Sequence, residues 1–121
     1  MTPEHDDRRL NRKELLEHML GDTALLTEMV RAFLMESETH LTELEQAVAS
    51  GDARKVYVAA HTFKGAVSNF AAPLAVESAA RLEQMGHSGN MSGATVEFAV
   101  LRREVELLKP LLLTACEALS Q

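Results

Sequence analysis

Residues 52–73 read DARKVYVAAHTFKGAVSNFAAP, and the spacing of their apolar positions allows one regular structure. At about 100° per residue, Val56, Ala59, Ala60, Phe63, Ala66, Val67 and Phe70 fall on a single stripe, the buried face of an amphipathic helix. Asp52 stands where an N-cap belongs. Ala72-Pro73 marks a joint, since proline restricts the residue before it and suits the first turn of a following helix. The segment is therefore predicted as a helix from Asp52 to about Phe70. On that helix His61 lies about 160° from Phe63. It points away from the core, with Gly65 and Ser68 further along its side and Lys64 at the flank.

Outward from this segment the pattern repeats. Upstream, Asp22 caps a long helix in which Leu25, Leu26, Met29, Val30, Phe33, Leu34, Leu41, Leu44 and Val48 keep helical spacing until Gly51. Its polar middle, Glu36 to His40, exposes one turn or admits a bend. Before it, Asn11 opens a short helix with Glu14 three residues on, as in a capping box. That helix carries Leu15, Leu16, Met19 and Leu20 and stops near Gly21. Residues 1–10, MTPEHDDRRL, read as a polar leader, and 11–121 as a single domain. Downstream, a fourth helix takes Leu74 to Met85, Gly86 to Gly93 reads as a loop, and a last helix runs from Ser92 or Gly93 to about Leu119, with Pro110 kinking or breaking it. Aromatics are 4% of the chain and Trp is absent. The apolar residues are mostly helix formers, so the fold class is all-α. Short connections imply an antiparallel up-and-down four-helix bundle with a short extra N-terminal helix.

The same composition excludes several classes of function. A chain of 121 residues is one domain's worth of sequence. With 12 basic against 18 acidic residues the net charge is −6, and no basic run exceeds two residues, so nucleic acid is not an expected partner. No apolar stretch approaches the roughly 18 residues of a membrane span, and the start is charged where a signal peptide is apolar. The lone Cys116 forms no internal disulfide and is read as packed against the bundle. A cytoplasmic protein is expected.

Within the central helix, Gly65 is the anomaly. A mid-helix glycine costs about 1 kcal/mol relative to alanine, and the helix itself does not ask for it. One turn from an exposed imidazole, a missing side chain gives clearance for another molecule's surface. Lys64 adds a cation, which suits an anionic group arriving at the ring, and a phosphoryl group fits. A metal site needs further converging ligands, and no second His or Cys sits three or four residues from His61. A Ser-His-Asp hydrolase needs a nucleophile and an oxyanion site that a convex helix face does not supply.

The run His61-Thr62-Phe63-Lys64-Gly65-Ala66-Val67-Ser68-Asn69-Phe70-Ala71-Ala72 resembles the signature of histidine phosphotransfer (HPt) domains, roughly H-x-L-K-G-x-x-x-N-L/F-G-A. His61, Lys64, Gly65, Asn69, Phe70 and Ala72 match it. Phe63 replaces leucine, and Ala71 replaces a frequent glycine, which suggests that the helix continues to the Ala72-Pro73 joint. Gly21-Asp22 with Leu25-Leu26 and Phe33-Leu34, Ser50-Gly51-Asp52, and Leu82-Glu83 with Gly86 extend the resemblance over residues 11–119.

The resemblance implies a phosphorelay intermediate of two-component signalling, a phosphocarrier without autonomous catalysis. His61 would accept a phosphoryl group from a receiver-domain aspartate and pass it to a response regulator, with a hybrid sensor histidine kinase upstream. Lys64 would compensate the phosphoryl charge, Gly65 would admit the partner, and Glu83 would accept from Nδ1–H and aim Nε2 outward. No cofactor is expected on this chain, and Mg²⁺ is expected in the receiver. A monomer is implied. His87 stands where many members carry Arg or Lys. The receiver would dock on Leu15, Leu16, Met19 and Leu20, of which only one or two can be exposed. The competing reading is a phosphorylation-independent adaptor, which loss of the histidine would force and which this chain, keeping His61, does not require.

Overall fold

In the computed structural model, which describes residues 8–119, the amphipathic segments form α1 (Arg12–His18), α2 (Thr23–Ser50), α3 (Ala53–Val67), α4 (Pro73–Ser88) and α5 (Ala94–Leu119), with a 3₁₀ turn at Ser68–Phe70 after α3. Helices α2 to α5 form the bundle. Around it α2 packs on α3, α3 on α4, α4 on α5, and α5 back on α2, while α1 lies against the 3₁₀ turn. The core is built from the stripes that the periodicity marks: Leu26, Leu41 and Leu44 of α2, Val56, Ala60, Phe63 and Val67 of α3, Leu82 of α4, and Leu101, Leu108 and Leu112 of α5. Phe33 joins two helices, its ring centroid 6.2 Å from Phe63 and 5.1 Å from Phe70.

The caps are those the sequence indicates. Asn11 Oδ1 accepts from Glu14 N at 3.0 Å, Asp22 Oδ1 from Leu25 N at 2.9 Å, and Asp52 Oδ1 from both Arg54 N and Lys55 N. Gly51 ends α2 in the left-handed conformation, φ +73°. The polar middle of α2 stays helical, with Ser37 buried on the core side and Glu36, Glu38 and Thr39 exposed. Cys116 is half-buried, and burial pushes its thiol pKa up.

Three expectations are corrected and a fourth is narrowed. Ala71 does not prolong α3: the helix ends at Val67, and Ala71 turns the chain with φ +53° and ψ +47°. That conformation costs alanine about 1–2 kcal/mol. It is held here by burial of Ala71 and by Asn11 N–H donating to its carbonyl at 2.9 Å. Gly86 is not the start of a loop but lies inside α4, buried against α3. Of the two outcomes expected at Pro110, the break is excluded, since α5 continues through it. Finally, residues 8–10 are not free leader. Leu74 N donates to Arg8 O at 2.9 Å, satisfying an amide of the first turn of α4; Arg9 pairs with Glu104 at 2.9 Å; and Leu10 is buried. The rest of the leader, residues 1–7, lies outside the described residues. Among the described residues no helix is long and apolar enough to cross a membrane.

Candidate functional site

The α3 stripe that buries Phe63 turns His61 outward, its side chain 63% exposed, on the flank that faces α4. Leu82 of α4 is fully buried, so the next residue, Glu83, reaches the rim of the α3–α4 contact. His61 Nδ1 lies 2.5 Å from Glu83 Oε2, and Lys64 Nζ donates to Glu83 Oε1 at 2.5 Å. One carboxylate thus holds both groups. The Lys64 hydrogen bond holds the Glu83 carboxyl below the ordinary carboxylate range; burial opposes this, and the His61 hydrogen bond adds to it. An ionised carboxylate only accepts, so the hydrogen in the His61–Glu83 bond belongs to Nδ1. Nε2 then keeps its lone pair, and it has no hydrogen-bond partner among the described residues.

The other site residues are placed as follows. Gly65 is exposed, and a Cβ built on it meets nothing within 4 Å, so no neighbour within the fold excludes a side chain there. Ser68 Oγ donates to Lys64 O at 2.6 Å and Asn69 Nδ2 to Ala66 O at 3.2 Å, so both side chains satisfy the last carbonyls of α3. His87 is exposed in the last turn of α4. Of the four apolar residues of the first helix and its end, Leu15 and Met19 are core and Leu16 is half-buried. Leu20 is 93% exposed, with φ +53°. Among the described residues no cluster of His, Cys, Asp and Glu could hold a metal ion.

Two residues that the motif did not single out complete the site. Tyr57, one turn before His61, lays its ring near-parallel to the imidazole, centroids 6.1 Å apart and planes 16° apart. The i, i+4 relation on one helix face is the signal that could have found it. Gly86 lets the helices meet. A Cβ there would stand 2.7 Å from Ala53 O and 2.8 Å from Tyr57 Cα, and nearer still to Tyr57 N.

The sequence model of the Hpt domain matches residues 28–119, more than half of the chain. The chain belongs to the Hpt domain family. Among solved structures it is similar to histidine-containing phosphotransfer protein B (HptB) of Pseudomonas aeruginosa PAO1, at 28% identity and a TM-score of 0.72, over 98% of each chain. No curated protein matches the sequence. The helical bundle is the Hpt fold, and the role of this Hpt domain is histidine phosphotransfer in two-component signalling, a family activity exercised on receiver domains and kinases of phosphorelays.

Proposed function

We propose that His61 is the phosphoryl acceptor of this Hpt domain, charged by a receiver-domain aspartate of a hybrid sensor kinase and discharged onto a response regulator. The observation that carries this reading is the bond from His61 Nδ1 to Glu83 in an imidazole that is otherwise exposed. Nε2 is the nucleophile. Its lone pair attacks phosphorus, the N–P bond forms as the P–O bond to the aspartate breaks, and the aspartate leaves as a carboxylate. The Nδ1 proton stays with the ring, and Glu83 compensates the positive charge that the ring acquires. Lys64, bonded to the same carboxylate one turn along α3, supplies positive charge for the phosphoryl oxygens. Gly65 leaves room for the receiver's loops. Phosphoryl transfer asks mainly for positioning and charge compensation, and in this reading the receiver brings the Mg²⁺ while the chain binds no cofactor of its own.

The test is incubation with a labelled, phosphorylated receiver domain and Mg²⁺, followed by addition of a second, unlabelled receiver. The chain should take up the label and release it to the second receiver, and His61→Gln should do neither. Binding of several receivers without any label on the chain would replace this reading with that of a phosphorylation-independent adaptor.

A further inference from the structure

The bond to Glu83 fixes one point of the His61 ring. In a helix, χ1 of histidine has few choices, but χ2 is a broad, sp²-type torsion, and rotation about it turns the ring plane, and with it the direction of the in-plane Nε2 lone pair, over the range in which Nδ1 still reaches a carboxylate oxygen. An in-line displacement needs the nucleophile's lone pair aimed at phosphorus, so a second constraint on the ring has a use. The structure offers one. Tyr57, half-buried on α3, presents its ring face to the imidazole at 6.1 Å and 16°, within the range of aromatic pair contacts.

Tyr57 is held through its backbone. Its backbone lies where the missing Cβ of Gly86 would be, so α4 closes against the helix at that point. Tyr57 forms one wall of a shallow recess whose other walls are Arg54, Gly86 and His87, with the His87 ring centroid 5.8 Å from its own. The Tyr57 hydroxyl has no hydrogen-bond partner among the described residues, so the ring face, not the hydroxyl, is the part in use.

We infer that Tyr57 is a positioning residue for phosphotransfer: its ring sets the plane of His61 while Glu83 sets the tautomer, and the two together aim Nε2. This rests on the reading of His61 as the acceptor. The same face also lies against the ring as it becomes cationic on N–P bond formation, where an aromatic neighbour stabilises positive charge.

The test compares Tyr57→Phe with Tyr57→Leu in the full chain, measuring acceptance from a phosphorylated receiver over a range of receiver concentrations, together with the proton spectrum of the His61 ring. Tyr57→Phe should keep the wild-type maximal rate within about twofold and keep the upfield ring-current shift of the His61 carbon-bound protons. Tyr57→Leu, which keeps an apolar helix-forming side chain, should lose that shift and lower the maximal rate by about tenfold, with the half-saturating receiver concentration unchanged. Thermal melting of both variants reports folding, and because the spectrum is read on the folded fraction, a partly destabilised Tyr57→Leu still answers. A raised half-saturating concentration at unchanged maximal rate would make Tyr57 a docking residue and overturn the inference. So would a Tyr57→Leu chain that loses the shift but transfers at the wild-type rate. A wild-type chain that takes no label at all would instead overturn the acceptor reading, and the inference with it.

Discussion

Gly86→Ala is the substitution whose effect follows most directly from the helix packing. The added methyl would stand 2.7 Å from Ala53 O and 2.8 Å from Tyr57 Cα, where ordinary contact begins at 3.4 Å. The opposing atoms are backbone, so no rotamer change relieves the clash, and α3 and α4 must separate locally by roughly 1 Å to reach normal contact distances. Overpacking of this kind costs about 1–3 kcal/mol, and the upper part of that range applies because the α3–α4 contact is the most extensive in the bundle. The better helix propensity of alanine returns about 1 kcal/mol. A net loss of about 2 kcal/mol should lower the midpoint of thermal unfolding by roughly 6–12 °C in a domain of this size. The functional effect should accompany it. Glu83 lies one turn before Gly86, and a 1 Å separation stretches its 2.5 Å bond to His61 to the limit of a hydrogen bond. Thermal melting followed by circular dichroism, with phosphoryl acceptance on the same sample, is the assay. A variant that melts at or above the wild-type temperature and transfers at the wild-type rate would refute the packing argument.

Gly65→Ala, into open space, should raise stability by about 1 kcal/mol in a urea titration, whereas the larger Gly65→Gln should slow transfer from a receiver; unimpaired transfer in Gly65→Gln would remove the clearance argument. Glu83 has a folded-state pKa below its ordinary value, so its stabilising contribution is complete above about pH 4.5 and is lost as pH falls through the lower folded value. Glu83→Gln should therefore be less stable than wild type at pH 7, with the gap closing in melts taken below pH 4.5; a gap that widened on acidification would contradict the linkage. Leu20 is 93% exposed with φ +53°, so Leu20→Gly relieves about 1–2 kcal/mol of backbone strain against a smaller entropic loss, and the net gain of up to about 1 kcal/mol should appear as a higher melting temperature. If this leucine docks the receiver, the same variant should raise the half-saturating receiver concentration.

The helices were legible because their determinants are local. Val56, Ala60, Phe63 and Val67 repeat at helical spacing, and Asn11, Asp22 and Asp52 cap through their own side chains to amides two or three residues on. The outward direction of His61 followed from the same rotation. What stayed hidden depends on contacts between distant segments. Ala71 turns the chain after the 3₁₀ turn in a conformation alanine disfavours because the chain at Asn11 and the start of α4 secure the corner, and nothing in the residues around Ala71 carries that information. Gly86 reads as a loop glycine, yet its use is the approach of the α3 backbone, which appears only once two helices are placed together. Lys64 was legible as a cation beside His61, but its bond to Glu83, which makes one carboxylate the organiser of both groups, requires the α3–α4 register.

The account turns on which atom of His61 is phosphorylated. The most direct measurement is a nitrogen–proton correlation spectrum of the nitrogen-15-labelled chain after phosphorylation by a receiver, with phosphorus–nitrogen coupling used to locate the bond. The account predicts a phosphoryl group on His61 Nε2 and a retained proton on Nδ1, held by Glu83. Phosphorylation at Nδ1, or on another side chain such as His87, would contradict it.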